Sequence, residues 1–269
     1  MRAPKVIQGR DGPLEIDEQK RIVTKTYSRC KRVEAVQRAQ REVAYATRLR
    51  QSLLHVDGLN CPRILAWEES FPPRVFMQYC PGEPLSRYLR RHAIRRTQHV
   101  ADIARKIHDG LEIYTRVFDE PYYDFCFQNM LYDESTGVLT VLDFGVPRPV
   151  DAPEWPALET SLGRLVGWAC YDLVRPSRRF LPKKAYLDVL KLVLSAFQGE
   201  VSKEHVRELA YADLRRLGGC DSSLRSRYYQ TVGKAIMGRY WIRLRPNSIS
   251  ETLTGESGTD GDNHANIVV

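Results

Sequence analysis

The chain has 269 residues, of which 43% are hydrophobic and 28% charged, and it carries a net charge of +8. A chain of this length can bury a sizeable core as one large domain or as two lobes. No apolar run reaches the roughly 18 residues that a membrane span needs, and the first ten residues hold no apolar core of signal-peptide length. The expected location is therefore the cytoplasm. Cys30, Cys61, Cys80, Cys126, Cys170 and Cys220 are scattered and form no Cys-x-x-Cys pair. That argues against a zinc site or a disulfide framework and fits buried thiols in a reducing compartment.

In chain order, Lys5 to Gln8 and Arg21 to Tyr27 are strand candidates, with a turn region at Gly9, Gly12 and Pro13 between them. Val33 to Leu54 reads as a helix, because Val36, Ala39, Val43, Ala46, Leu49 and Leu53 recur at spacings of three and four. Cys61 to Trp67 and Arg74 to Tyr79 read as two more strands around a Pro72-Pro73 turn. Pro81-Gly82-Glu83-Pro84 breaks the pattern and is a natural boundary. Beyond it, Leu85 to His92 and Gln98 to Phe118 read as helices, the second with Ile103, Ile107, Leu111 and Tyr114 on one side. Residues 157–174, 184–198, 203–217 and 222–243 are further helix candidates. From Asn247 onward Ser, Thr, Gly, Asp and Asn dominate, the composition of a disordered tail over 247–269.

The densest signal lies between Asp124 and Gly145. Asn129 follows Asp124 by five residues, and an Asp143-Phe144-Gly145 triplet begins fourteen residues after Asn129. Met130 to Tyr132 and Val138 to Leu142 suit two short strands that a loop containing Gly137 can close into a hairpin. Such a hairpin carries Asn129 before its first strand and Asp143 at the end of its second. Two hard oxygen ligands then converge, which suits Mg²⁺ with phosphate and water completing its shell. Asp124, just upstream in a loop, is free to face a substrate hydroxyl. An isolated Asp of this kind is a common turn former, and it is the ordered pair of motifs that points to chemistry.

A strand-rich segment with one helix, a break, and then helices around this hairpin resembles the protein-kinase-like superfamily, nearer its aminoglycoside/choline phosphotransferase-type branch. The motifs cover about residues 20 to 145. The resemblance implies an α+β, two-lobed fold. Residues 1–79 would form a small strand-rich N-lobe and residues 80–246 a larger helical C-lobe with the catalytic hairpin. It also implies ATP and Mg²⁺ as cofactors. Ile22-Val23-Thr24-Lys25 resembles the strand whose lysine meets the α- and β-phosphates. Glu42, seventeen residues later, would orient Lys25 by an ion pair. Glu34 competes for that role, although a carboxylate near a helix start also suits the dipole. Phe76 to Gly82 resembles the segment linking the lobes. There the backbones of Gln78 and Cys80 would pair with the adenine edge, and Met77 would flank the base. Asp124 would be the catalytic carboxylate, and Asn129 and Asp143 the metal ligands. Tyr122-Tyr123-Asp124 stands where the family often has His-x-Asp.

Two departures matter. No Gly-x-Gly-x-x-Gly precedes Lys25, where Gly9 and Gly12 are the only glycines, and no Ala-Pro-Glu follows Gly145. Both favour phosphotransfer to a hydroxyl of a small molecule or envelope sugar over a protein kinase with a phosphorylatable loop. An atypical protein Ser/Thr kinase and a non-catalytic nucleotide-binding scaffold are the alternatives. The basic groups Arg87 to Arg96 and Arg225 to Arg245 fit an anionic acceptor. As nucleic-acid surfaces they are less convincing than as solvated helix faces with inward aromatics.

Overall fold

The computed structural model describes residues 4–91, 97–147, 156–174, 184–197 and 199–218, together with Thr231 and Ala235. The chain is α+β, with an antiparallel sheet in its N-terminal region and helices after it. The first sheet has the order β1 (Lys5–Gln8), β2 (Pro13–Asp17), β3 (Ile22–Thr26), β6 (Arg74–Gln78) and β5 (Ile64–Glu68). Helix α1 (Arg32–Leu53) lies between β3 and β5 in sequence and packs on β5 and β6. A second sheet has the order β4 (Leu59–Asn60), β9 (Val138–Val141), β8 (Met130–Asp133) and β7 (Glu83–Pro84).

Strand β2 corrects the turn region expected between residues 9 and 21. The chain turns at Gly9 to Gly12 and again at 18–21, and the residues between pair with both neighbours. Pro13 opens the strand, a position where its missing N–H costs the ladder least. The strand expected at Cys61–Trp67 is displaced to Ile64–Glu68, behind the short β4.

Helices α2 (Leu85–Arg91), α3 (Thr97–Phe118), α4 (Ala157–Val174), α5 (Lys184–Ala196) and α6 (Lys203–Gly218) match the segments expected to be helical, with small shifts at their ends. The helix expected over 222–243 (apart from Thr231 and Ala235), the basic residues of the second group, Arg95 and Arg96 of the first, and the 247–269 tail lie outside the described residues. In the first basic group, Arg90 turns inward to the buried Asp172 at 3.2 Å, and Arg87 and Arg91 both pair with Glu83. Among the described residues no helix is long and apolar enough to cross a membrane.

Two apolar clusters hold these elements. Tyr27, Ala35, Ala39, Val75 and Met77 pack α1 against the first sheet. A larger cluster joins Leu49, Leu53 and Leu59 to α2–α6 and the β8–β9 hairpin through Leu89, Ile107, Leu111, Met130, Leu139 and Phe197. The far end of α1 therefore belongs to the helical core, and the hairpin is clamped against α3. Lys106 of α3 adds a polar clamp, donating to the Gly137 carbonyl at 2.7 Å in the hairpin's turn.

Glycines set one helix spacing. A Cβ on Gly163 of α4 would stand 2.4 Å from Leu209 Cβ of α6, and one on Gly167 would stand 2.7 Å from Asp213 Cβ. Gly110, inside α3, differs: its added Cβ would meet Leu59 methyl carbons at 3.7 and 3.9 Å, ordinary contact distances. Gly110→Ala is expected to raise the chemical denaturation midpoint, by about 1 kcal/mol of stability from helix propensity. Gly163→Ala is expected to lower it by about 1–3 kcal/mol through overpacking.

Candidate active site

Lys25 stands on β3 between α1 and the Asp143 segment, with 13% of its side chain exposed. Its ammonium donates to Asp143 Oδ1 at 2.6 Å and to Glu42 Oε2 at 3.3 Å. Burial alone would pull the Lys25 pKa down, but the Asp143 and Glu42 carboxylates outweigh it and hold the pKa well above the ordinary lysine range. The lysine stays charged.

Glu42 reaches this position because the buried stripe of α1 runs Ala35, Ala39, Glu42, Ala46, Leu49, Leu53. The stripe is turned from the one expected through Val36 and Val43, which are only half-buried. A carboxylate thus occupies the centre of an apolar row, at 2% exposure. Its Oε2 also accepts the N–H groups of Phe144 at 2.9 Å and Gly145 at 2.8 Å and the Tyr27 hydroxyl at 3.4 Å. Burial pushes the Glu42 carboxyl up, against the pull of Lys25 and the Gly145 amide. Glu34, the competing candidate, instead binds Arg38 on its own helix at 2.8 Å.

Asp143 follows the last residue of β9 by two, with φ +68, a left-handed backbone that Asp tolerates better than most residues. Its carboxylate is 28% exposed. Asn129 closes a single 3₁₀ turn, Phe127–Asn129, directly before β8. It donates through Nδ2 to the Asp124 carbonyl at 2.9 Å, which leaves its side-chain oxygen for a cation. The Asn129 carbonyl accepts the Leu142 N–H at 2.9 Å, so the two candidate ligands are locked to one another across the hairpin.

The Asp124 carboxyl is pushed up to about 6, first by burial and then by the charge of Asp143; Arg10, Asn129 and Lys25 pull the other way. Asp124 and Asp143 are therefore electrostatic neighbours. Tyr122, two residues before Asp124, donates its hydroxyl to the Leu142 carbonyl, accepts no solvent exposure beyond 3%, and stacks on Tyr114 and Phe144 with centroids 4.7 and 5.3 Å away. Its N–H donates to Ser161 of α4 at 2.9 Å.

The structure thus joins Lys25, Glu42, Asp124, Asn129 and Asp143. Among the described residues no hydrogen bond or ion pair joins them to Gln78, the last residue of β6, or to Cys80, two residues further on. The Gln78 N–H is taken by the Arg63 carbonyl at 2.8 Å, so Gln78 can offer an adenine only its carbonyl. That carbonyl already receives the Cys80 thiol at 3.7 Å. Met77 packs beneath α1 with Val75, Ala35 and Ala39.

Sequence reasoning missed the ties that orient α1. Arg38 binds Asp11 in the β1–β2 turn at 2.7 Å, and Arg41 pairs with Glu120 just before Tyr122 while lying over the Tyr45 ring at 4.1 Å. Nothing local in the sequence marks either arginine, because their partners are remote along the chain.

The donor set is chemically suited to Mg²⁺. Among the described residues no three His, Cys, Asp or Glu side chains gather as a metal site. Asn129 and Asp143 offer two hard oxygens, which is the sparse protein share a magnesium ion takes when phosphates and water supply the rest. Neither a protein-family model nor a curated protein matches the chain.

Two measurements probe this cluster. Glu42→Ala should destabilise the protein by about 3 kcal/mol in denaturant titration, because an ammonium and two amides lose a buried acceptor. Asp124 binds its proton more tightly in the folded chain than the ordinary 3.8 allows, so its contribution to stability is lost as pH rises from about 4 to about 6. Asp124→Asn should accordingly raise the melting temperature at pH 8 and leave it nearly unchanged at pH 3.5.

Proposed function

We propose that this chain is an ATP-dependent phosphotransferase with a two-lobed, protein-kinase-like architecture, acting on a hydroxyl of a small molecule or envelope sugar. The observation that carries this reading is the single Glu42 oxygen that bridges Lys25 to the Phe144–Gly145 amides while Lys25 contacts Asp143. Three segments, distant in sequence, meet there, and a lysine–glutamate pair beside an Asp-Phe-Gly aspartate is what kinase-type phosphoryl transfer uses.

In this reading the first sheet and α1 form the smaller lobe, and the cleft between it and the helices takes the nucleotide. Lys25 neutralises phosphate charge and is kept protonated by its carboxylate neighbours. Asn129 and Asp143 would hold Mg²⁺, which supplies neutralisation of the charge on the transferring group. Asp124 binds the acceptor hydroxyl and takes its proton as the oxygen bonds to the terminal phosphorus. The bond from that phosphorus to the bridging oxygen breaks, and the nucleoside diphosphate leaves. Little else is needed, because positioning and electrostatics carry most of the barrier reduction in this reaction class.

The test is incubation of the purified chain with labelled Mg-ATP and a panel of hydroxyl-bearing acceptors. Asp124→Asn should reduce transfer by at least about a hundredfold, the lower end of the range for loss of a general base, while Mg-ATP binding persists. Asp143→Asn should abolish the magnesium dependence of nucleotide binding. Since Asp124 must be ionised to act, kcat/KM should fall as pH drops below about 6. Undiminished transfer by both variants would overturn the assignment.

A further inference from the structure

The sequence lacks a glycine-rich phosphate loop, yet the structure holds a tight turn where one would lie. Gly9 donates its N–H to the Gly12 carbonyl at 2.9 Å, closing the tip between β1 and β2. The turn sits at the Lys25 end of β3, since Leu14, the second residue of β2, is the register partner of Lys25. Gly12, at φ +152, lies so close to β3 that a Cβ there would stand 2.0 Å from the Thr26 carbonyl.

Three bonds fix the tip. Asp11, 7% exposed, receives the Arg38 guanidinium of α1 at 2.7 Å; its carbonyl accepts the Arg29 N–H at 2.9 Å; and the Arg29 guanidinium donates to the Gly9 carbonyl at 3.0 Å. Arg10 therefore projects from a turn whose two flanking residues are both anchored. It is exposed and, among the described residues, holds no ion pair. Its positive charge nonetheless pulls the Asp124 pKa down, so the guanidinium lies within electrostatic reach of that carboxyl. An unpaired guanidinium held this way offers a fork of donors to phosphate oxygens.

We propose that Arg10 binds the terminal phosphate of the nucleotide, so that one side chain on a braced turn replaces the backbone amides of a glycine-rich loop. The proposal rests on the phosphotransferase reading above. It assigns Arg10 to recognition of a triphosphate over a diphosphate, and Asp11 and Arg38 to positioning it.

Calorimetric titration of the full chain with Mg-ATP and with Mg-ADP tests it. In the parent protein Mg-ATP should bind more tightly than Mg-ADP. Arg10→Ala should weaken Mg-ATP about tenfold, the worth of one charge-assisted contact, and leave Mg-ADP within about twofold. Arg10→Lys, which keeps the charge and loses the fork, should fall between. Equal losses for both nucleotides, no loss for either, or a parent protein without preference for Mg-ATP would overturn the role of Arg10 while the phosphotransferase reading stands. A parent protein that binds neither nucleotide would overturn both.

Discussion

One oxygen atom, Oε2 of Glu42, organises the centre of this protein. It accepts from the Lys25 ammonium, the Tyr27 hydroxyl and two successive amides at Phe144 and Gly145. A buried carboxylate is costly to desolvate, and its value lies less in net stability than in leaving its donors only one good arrangement. Because those donors come from β3 and from the end of the β8–β9 hairpin, satisfying Glu42 fixes the sheet relative to the hairpin.

Helix α1 extends this effect. Arg38, Arg41 and Glu42 lie within two turns, and each reaches a different part of the chain: the β1–β2 turn, the segment before Tyr122, and the Lys25–Asp143 pair. Meanwhile Leu49 and Leu53 sink into the helical core. A helix anchored by apolar contacts at one end can hold charged groups at the other with little freedom. The hairpin gains its own rigidity from β4 and β7 on its flanks and from Lys106 at its turn. Chemistry-bearing residues on short loops thereby inherit the stiffness of elements that are not themselves part of the site.

Much of this was legible in the sequence. Period-3.6 apolar patterns located α1 and α3, because each buries a stripe against the core. The hairpin was legible from its β-branched strands and Gly137, whereas the meeting of Lys25 with Glu42 and Asp143 was expected from the resemblance to a known superfamily. Strand β2 was not, since Pro-Leu-Glu-Ile-Asp has too few apolar residues to announce itself and is held by its two neighbours. The stripe of α1 was misphased because small alanines, rather than Val36 and Val43, face inward, leaving room for Glu42. Arg38–Asp11 and Arg41–Glu120 could not be read at all. A pair of opposite charges far apart in a chain has no local signature, and only the fold makes them neighbours.

The left-handed backbone at Asp143 bears on how this position can vary. A side chain with a carbonyl-type group on its γ-carbon is stabilised at such a φ by local hydrogen bonding, whereas an ordinary Cβ is crowded there. Glutamate keeps the charge but forfeits that accommodation, and alanine forfeits both. Chemically similar and conformationally similar are therefore different replacements at this residue. Main-chain geometry narrows the side chains this position accepts, independently of any chemistry the carboxylate performs.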